Sequence, residues 1–201
     1  MRFNQYLTEK TVADFDNIIQ NLKKSCKPAI DFYKKAKSPL WRGMKHGVNN
    51  FVRKAVRNDR RPRVVSDDLH KVLDECFKKH FGWNARSEGV FTGSEGNVTQ
   101  NWGMPYVIFP IGKFDYVYTI DPEAGFWEIL NEYETLDLED MVEPEVIIKD
   151  ICNAVKRNYK NKGLESVLKS KEEFEAILRC KEYYGVAAPN RDTFDYIMER
   201  I

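Results

Sequence analysis

The side chains best suited to chemistry are two glutamates one residue apart, Glu173 and Glu175, flanking Phe174. Read as a strand, residues 171–186 place alternate side chains on one face, so both carboxylates point the same way, about 7 Å apart. Ile177 continues that face, and Phe174, Ala176 and Leu178 occupy the other. Paired carboxylates repel, and a folded chain holds them where water, a cation or a ligand offsets the charge. The same letters also fit a helix with a solvated acidic surface.

Other reactive types are scattered. Thr92 and Ser94 place two hydroxyls after the apolar pair Val90-Phe91, and Arg42 follows Trp41 and precedes Gly43. Arg86-Ser87 is a further polar pair close by. The basic residues concentrate in 53–65, where Arg53, Lys54, Arg57, Arg60, Arg61 and Arg63 face only Asp59. Such a run forms a solvated loop or binds phosphates, and it lacks the interleaved aromatics of a single-strand stacking platform. His46, His70 and His80 have no metal-ligand spacing, and no metal site is expected. Cys26, Cys76, Cys152 and Cys180 form no CxxC pair; Cys76 and Cys152 fall on apolar helical stripes and read as buried small hydrophobes in a reduced, cytoplasmic protein.

Several elements must position these groups. Val12, Phe15, Ile18, Ile19 and Leu22 repeat at the helical period, so 8–36 reads as helical with a break near Pro28, and 1–37 as an N-terminal helical extension of a domain spanning 38–201. Leu40 to Gly43 reads as a short strand. Ser66 caps a helix whose stripe of Leu69, Val72, Leu73, Cys76, Phe77 and Phe81 ends at Gly82. Ser94 is placed to cap a short helix through Trp102. Tyr106–Phe109 and Phe114–Ile120 read as strands of a hairpin turning at 110–113. Phe126–Tyr133, Pro144–Tyr159 and Asp192–Ile201 read as helices, and Ser166–Leu168 as a short apolar run before the glutamate strand. Helices and strands mix without βαβ alternation, and no GxGxxG follows a strand, which makes the fold class α+β and excludes a Rossmann domain.

Composition narrows the function classes. The chain has 201 residues, 42% of them hydrophobic and 13% aromatic, enough for a sizeable core. With 32 Lys and Arg against 31 Asp and Glu, the net charge of +1 points to neither nucleic acid nor membrane. No apolar run approaches the roughly 18 residues of a membrane span, and no secretory leader is expected at the N-terminus.

Taken in order, Leu40-Trp41-Arg42-Gly43, Phe91-Thr92-Gly93-Ser94 and Glu173-Phe174-Glu175 resemble the ADP-ribosyltransferase superfamily, in its Arg–Ser–Glu branch. That branch carries an aromatic-Arg-Gly strand, a Phe/Ser-Thr-Ser strand and a Glu-x-Glu. The likeness spans residues 38–187 and extends to small phage-encoded members that modify host proteins. It implies a split β-sandwich core with helices, and transfer of ADP-ribose from NAD to arginine side chains of a target protein in the cytoplasm, the host's if the chain is phage-encoded. By that resemblance Glu175 is the catalytic glutamate and Glu173 orients the acceptor guanidinium. Arg42 with Gly43, Thr92 and Ser94 bind NAD, Thr92 standing where the family's first serine orients the catalytic carboxylate. Gly93 replaces the usual threonine and Thr92 the usual serine. Phe109, Tyr116 and Tyr118 are the strand aromatics available to stack on nicotinamide, or to fill the core.

Two other readings compete. One is a catalytically inactive relative kept as a binding or structural module. The other is a nucleic-acid-associated protein using residues 53–63, disfavoured by the net charge except through a protein partner.

Overall fold

The computed structural model describes residues 9–44, 50–58, 60, 65–94, 103–120, 133, 143–170, 172–188 and 190–201. In chain order these form α1 (Glu9–Ser25), α2 (Lys27–Ala36), β1 (Trp41–Met44), β2 (Phe51–Ala55), α3 (Asp67–Phe81), α4 (Ala85–Glu88), β3 (Val90–Gly93), β4 (Met104–Pro110), β5 (Asp115–Thr119), α5 (Pro144–Asn158), α6 (Leu164–Ser170), β6 (Glu175–Arg179), β7 (Glu182–Ala187) and α7 (Arg191–Arg200). The fold is α+β.

Local chemistry explains the main helices. The Ser66 hydroxyl accepts from the Leu69 N–H at 3.1 Å, Asp67 and Asp68 occupy the first turn of α3, and Gly82 closes it at φ 83°. Pro28 sits in the first turn of α2, so the break expected there falls at Cys26. Residues 166–168, expected as a short apolar run, belong to helix α6.

All seven strands join one antiparallel sheet in the order β2-β7-β4-β1-β3-β6-β5. β6 and β7 stand four positions apart, which in a flat sheet is about 19 Å. The link from Arg179 to Glu182 spans at most about 11 Å. The sheet therefore folds back on itself, laying β2-β7-β4 over β3-β6-β5. For the same reason β4 and β5 are not the expected hairpin. β4 pairs with β1 and β7, and β5 pairs with β6 and, through an isolated bridge at Tyr118, with Lys160.

The fold-over separates two apolar clusters. The larger takes Val90, Ala176 and Leu178 from β3 and β6, residues 106–109 of β4, and Tyr184 and Val186 of β7. It also takes Phe15, Ile19 and Leu22 of α1 and Ile30, Phe32 and Tyr33 of α2, so the boundary expected at residue 37 divides stretches that share one core. The smaller cluster lies on the other face of β3-β6-β5, where α3 and α5 pack on Ile177, Val117 and Phe91. Cys76 of α3 and Cys152 of α5 are buried there as expected, but they are joined in a disulfide with Cα atoms 4.8 Å apart. Their facing positions on two packed helices bring them within bonding reach, which a reading of each stripe alone could not reveal.

Gly89, between α4 and β3, is required by space. A Cβ there would overlap the Ile177 side chain and the Ala85 carbonyl.

Candidate active site

The three motif strands are neighbours in the sheet, in the order β1-β3-β6. Trp41 is the Cα partner of Gly93, and Gly93 of Glu175, so these residues form one row across the sheet. Thr92 and Ala176 form the next row, and side chains of adjacent rows leave the sheet on opposite faces. Glu175 alternates with Ile177 and so lies on the face that carries α3 and α5.

The part-buried carboxylate of Glu175 accepts a hydrogen bond from the Tyr159 hydroxyl, 3.2 Å from Oε1, at the C-terminal end of α5. Burial pushes the Glu175 carboxyl above its ordinary value, while Arg86, the Tyr159 hydroxyl and Arg60 each pull it back down. Burial likewise lowers the Arg86 guanidinium, against the opposing pull of Tyr159, Glu175 and Asp74.

Arg86 is held from its backbone. Asp74 of α3 accepts the N–H of Arg86 at 2.8 Å, the N–H of Ser87 at 3.3 Å and the Ser87 hydroxyl. The Ser87 hydroxyl also lies 2.9 Å from His70 Nε2. These three side chains do not form a nucleophilic triad, because the carboxylate bonds the serine rather than the far nitrogen of the imidazole. Their effect is to tie α4 to α3. The Phe91 ring on β3 is approached by two guanidinium groups, with the Cζ of Arg60 4.2 Å and that of Arg86 5.4 Å from its centroid.

Arg42 of β1 donates to the Phe91 carbonyl at 2.7 Å, and its neighbour Gly43 pairs with Pro105. Thr92 is buried and its hydroxyl donates to the Ala176 carbonyl at 2.8 Å, away from the Glu175 carboxylate. Ser94 follows β3, with its N–H on the Phe174 carbonyl at 3.3 Å and its Oγ enclosed without a hydrogen-bond partner among the described residues. Glu173 is exposed, just before β6 begins. Phe109 and Tyr118 are core residues, and the Tyr116 hydroxyl reaches Glu165 at 3.4 Å.

In the basic run, Arg53 pairs with Glu182 at 2.6 Å and Arg60 lies on Phe91. His46, Arg61, Arg63, the short helix expected over 95–102, and all but Tyr133 of the helix expected over Phe126–Tyr133 lie outside the described residues. No group of three metal-ligating side chains occurs among the described residues, and no described helix is long and apolar enough to cross a membrane. Two surface cavities lie away from Glu175. One of about 270 Å³ is lined by Trp83, Phe114 and Arg179, and one of about 470 Å³ by Lys79, Lys149 and Cys152 between α3 and α5.

Glu175, Arg60 and Arg86 stand out in the sequence, whereas Tyr159 and Asp74 do not. Tyr159 closes the Pro144–Tyr159 helix, where its position marks only a helix end. Asp74 looks like an ordinary surface acid within a helix until the Arg86-Ser87 turn is packed against it.

No protein-family model matches the chain, and comparison with curated proteins and with solved structures finds no significant match.

Proposed function

We propose that the chain is a mono-ADP-ribosyltransferase, moving ADP-ribose from NAD to an arginine of a target protein and releasing nicotinamide, on a split β-sandwich core of the ADP-ribosyltransferase type. The observation that carries this reading is the adjacency of the three motif strands, with Gly93 and Glu175 in one row beside β1. Support also comes from the part-buried carboxylate of Glu175, whose charge Arg86 and Arg60 favour.

The roles follow from charge. NAD is the co-substrate, and the residues present suit a charged, hydroxyl-rich molecule. The enclosed Ser94 hydroxyl has hydrogen-bonding capacity to spare among the described residues, and the guanidinium of Arg42, which leaves the sheet on the Thr92 side because Arg42 is one residue off the row of Trp41, Gly93 and Glu175, keeps further donors beyond the one given to Phe91. In this account Glu175 hydrogen-bonds the nicotinamide ribose and offsets the positive charge that develops as the carbon–nitrogen glycosidic bond breaks. The bonding pair leaves with nicotinamide, and a nitrogen of the acceptor guanidinium attacks the anomeric carbon. A guanidinium stays protonated to about pH 12, so exposed Glu173 positions it and takes its proton.

Nicotinamide release and arginine modification, measured on the same preparations, test these roles. Glu175→Ala abolishes both. Glu173→Ala spares release and loses modification, and equal loss of both contradicts separate roles. Arg42→Ala raises the KM for NAD, and an unchanged KM removes Arg42 from the binding site.

A second reading, an inactive relative serving as a binding module, is favoured by one feature. The Thr92 hydroxyl is committed to the Ala176 carbonyl in the row that faces away from Glu175. Calorimetric binding of NAD without nicotinamide release supports that alternative.

A further inference from the structure

The resemblance assigns the orientation of the catalytic carboxylate to the first hydroxyl of the β3 motif, here Thr92. In this chain that hydroxyl is already used, donating to Ala176 O at 2.8 Å. Thr92 and Ala176 are cross-strand partners, one residue off the row that contains Glu175. Consecutive strand residues point to opposite faces, so the Thr92 hydroxyl and the Glu175 carboxylate leave the sheet on opposite sides.

The group that meets the carboxylate comes from the helical layer instead. Tyr159 places its hydroxyl 3.2 Å from Glu175 Oε1. Tyr159 is 2% exposed, and its ring lies edge-on to Phe77 of α3, with centroids 4.7 Å apart. Its backbone N–H is fixed to the Val155 carbonyl at 3.0 Å, and α5 is linked to α3 by the Cys76–Cys152 disulfide. A ring clamped in this way delivers its hydroxyl to one place with little freedom left to lose.

We propose that Tyr159, and not Thr92, is the positioning residue for the Glu175 carboxylate. The proposal rests on the reading of Glu175 as the catalytic glutamate. One donated hydrogen bond engages Oε1 and leaves Oε2 for a ribose hydroxyl. The phenol suits this task because burial and the neighbouring Glu175 charge hold it well above its ordinary value, keeping it a donor at any working pH. Arg86 from α4 and Arg60 are the other charged groups that act on Glu175, and Asp74 of α3 holds the Arg86 backbone. Both cations favour the ionised carboxylate, and the tyrosine hydroxyl adds direction to that charge.

The test is a carboxyl NMR titration of the full chain carrying ¹³C-glutamate, without NAD, with the Glu175 signal assigned by its loss in Glu175→Gln. Tyr159→Phe keeps the ring and removes only the hydroxyl, and the same spectra report whether it is folded. The expected result is a rise in the Glu175 midpoint by about one pH unit, the worth of one hydrogen bond to a charged group. Thr92→Ala leaves that midpoint in place. A midpoint that moves in Thr92→Ala and stays in Tyr159→Phe overturns the proposal, as does one that moves in neither. Nicotinamide release separates the contact from the activity: Tyr159→Phe lowers kcat more than it changes KM. A titration that shifts as expected in a chain with no turnover supports the contact and counts against the transferase reading.

Discussion

Glu175 is a carboxylate in a position that disfavours its charge. Burial raises its pKa above the ordinary 4.5, with Arg86, Tyr159 and Arg60 offsetting only part of the effect. A carboxyl that binds its proton more tightly folded than unfolded adds stability that is fully present below about pH 4.5 and is lost as pH rises through the raised value. Glu175→Gln carries no such proton. Thermal melts from pH 4 to 8 should therefore show the Tm of Glu175→Gln rising relative to wild type as pH increases. A constant difference across that window would mean that the carboxylate is not destabilised by its surroundings. Such a sacrifice of stability is expected where charge is reserved for chemistry. Of the residues involved, Glu175 and Arg86 were legible as letters, since each stands in a short, chemically unusual stretch. Tyr159 was not. Its role depends on where the end of α5 lands on β6, and helical periodicity carries no information about that.

At the scale of elements, the candidate site depends on α3, α4 and α5 holding together on one face of β3-β6-β5. Three contacts do this: the bonds from Asp74 to the Arg86-Ser87 turn, the Phe77–Tyr159 ring contact and the Cys76–Cys152 disulfide. The disulfide joins residues 76 apart, so it restricts the unfolded chain by on the order of 4 kcal/mol in the loop-entropy account. Reduction should lower the Tm by roughly 10 °C for a chain of this length. Cys76→Ala/Cys152→Ala should melt at the same temperature with or without reductant, and a reductant effect persisting in that double variant would place the sensitive bond elsewhere. The helices were the best-read elements. The α3 sequence states its own start at Ser66 and end at Gly82, and α5 and α7 show clear apolar stripes. A β4–β5 hairpin is expected from sequence because two apolar strands separated by a short glycine-containing link satisfy the local pattern. Only the fold-over, a non-local property, sends them to different partners.

For the whole molecule, the folded sheet makes one arrangement out of motifs spread over more than a hundred residues of sequence. Trp41 and Glu175 stand two strands apart in one row because β1, β3 and β6 are consecutive in the sheet, and Arg42, one residue off that row, shares the face of Thr92. The order of these motifs was readable in the chain, and so was the α+β class. The faces were not, because a shift of one residue in register exchanges them. This is why Thr92 lies back to back with the carboxylate that it was expected to support. On the proposed function, this assembly transfers ADP-ribose. Its most direct measurement is incubation of the purified chain with labelled NAD and a cell lysate, beside Glu175→Ala. A transferase puts label on discrete proteins with the wild-type chain, and none with the variant. Equal labelling by both, or no labelling together with no NAD binding by calorimetry, would contradict it.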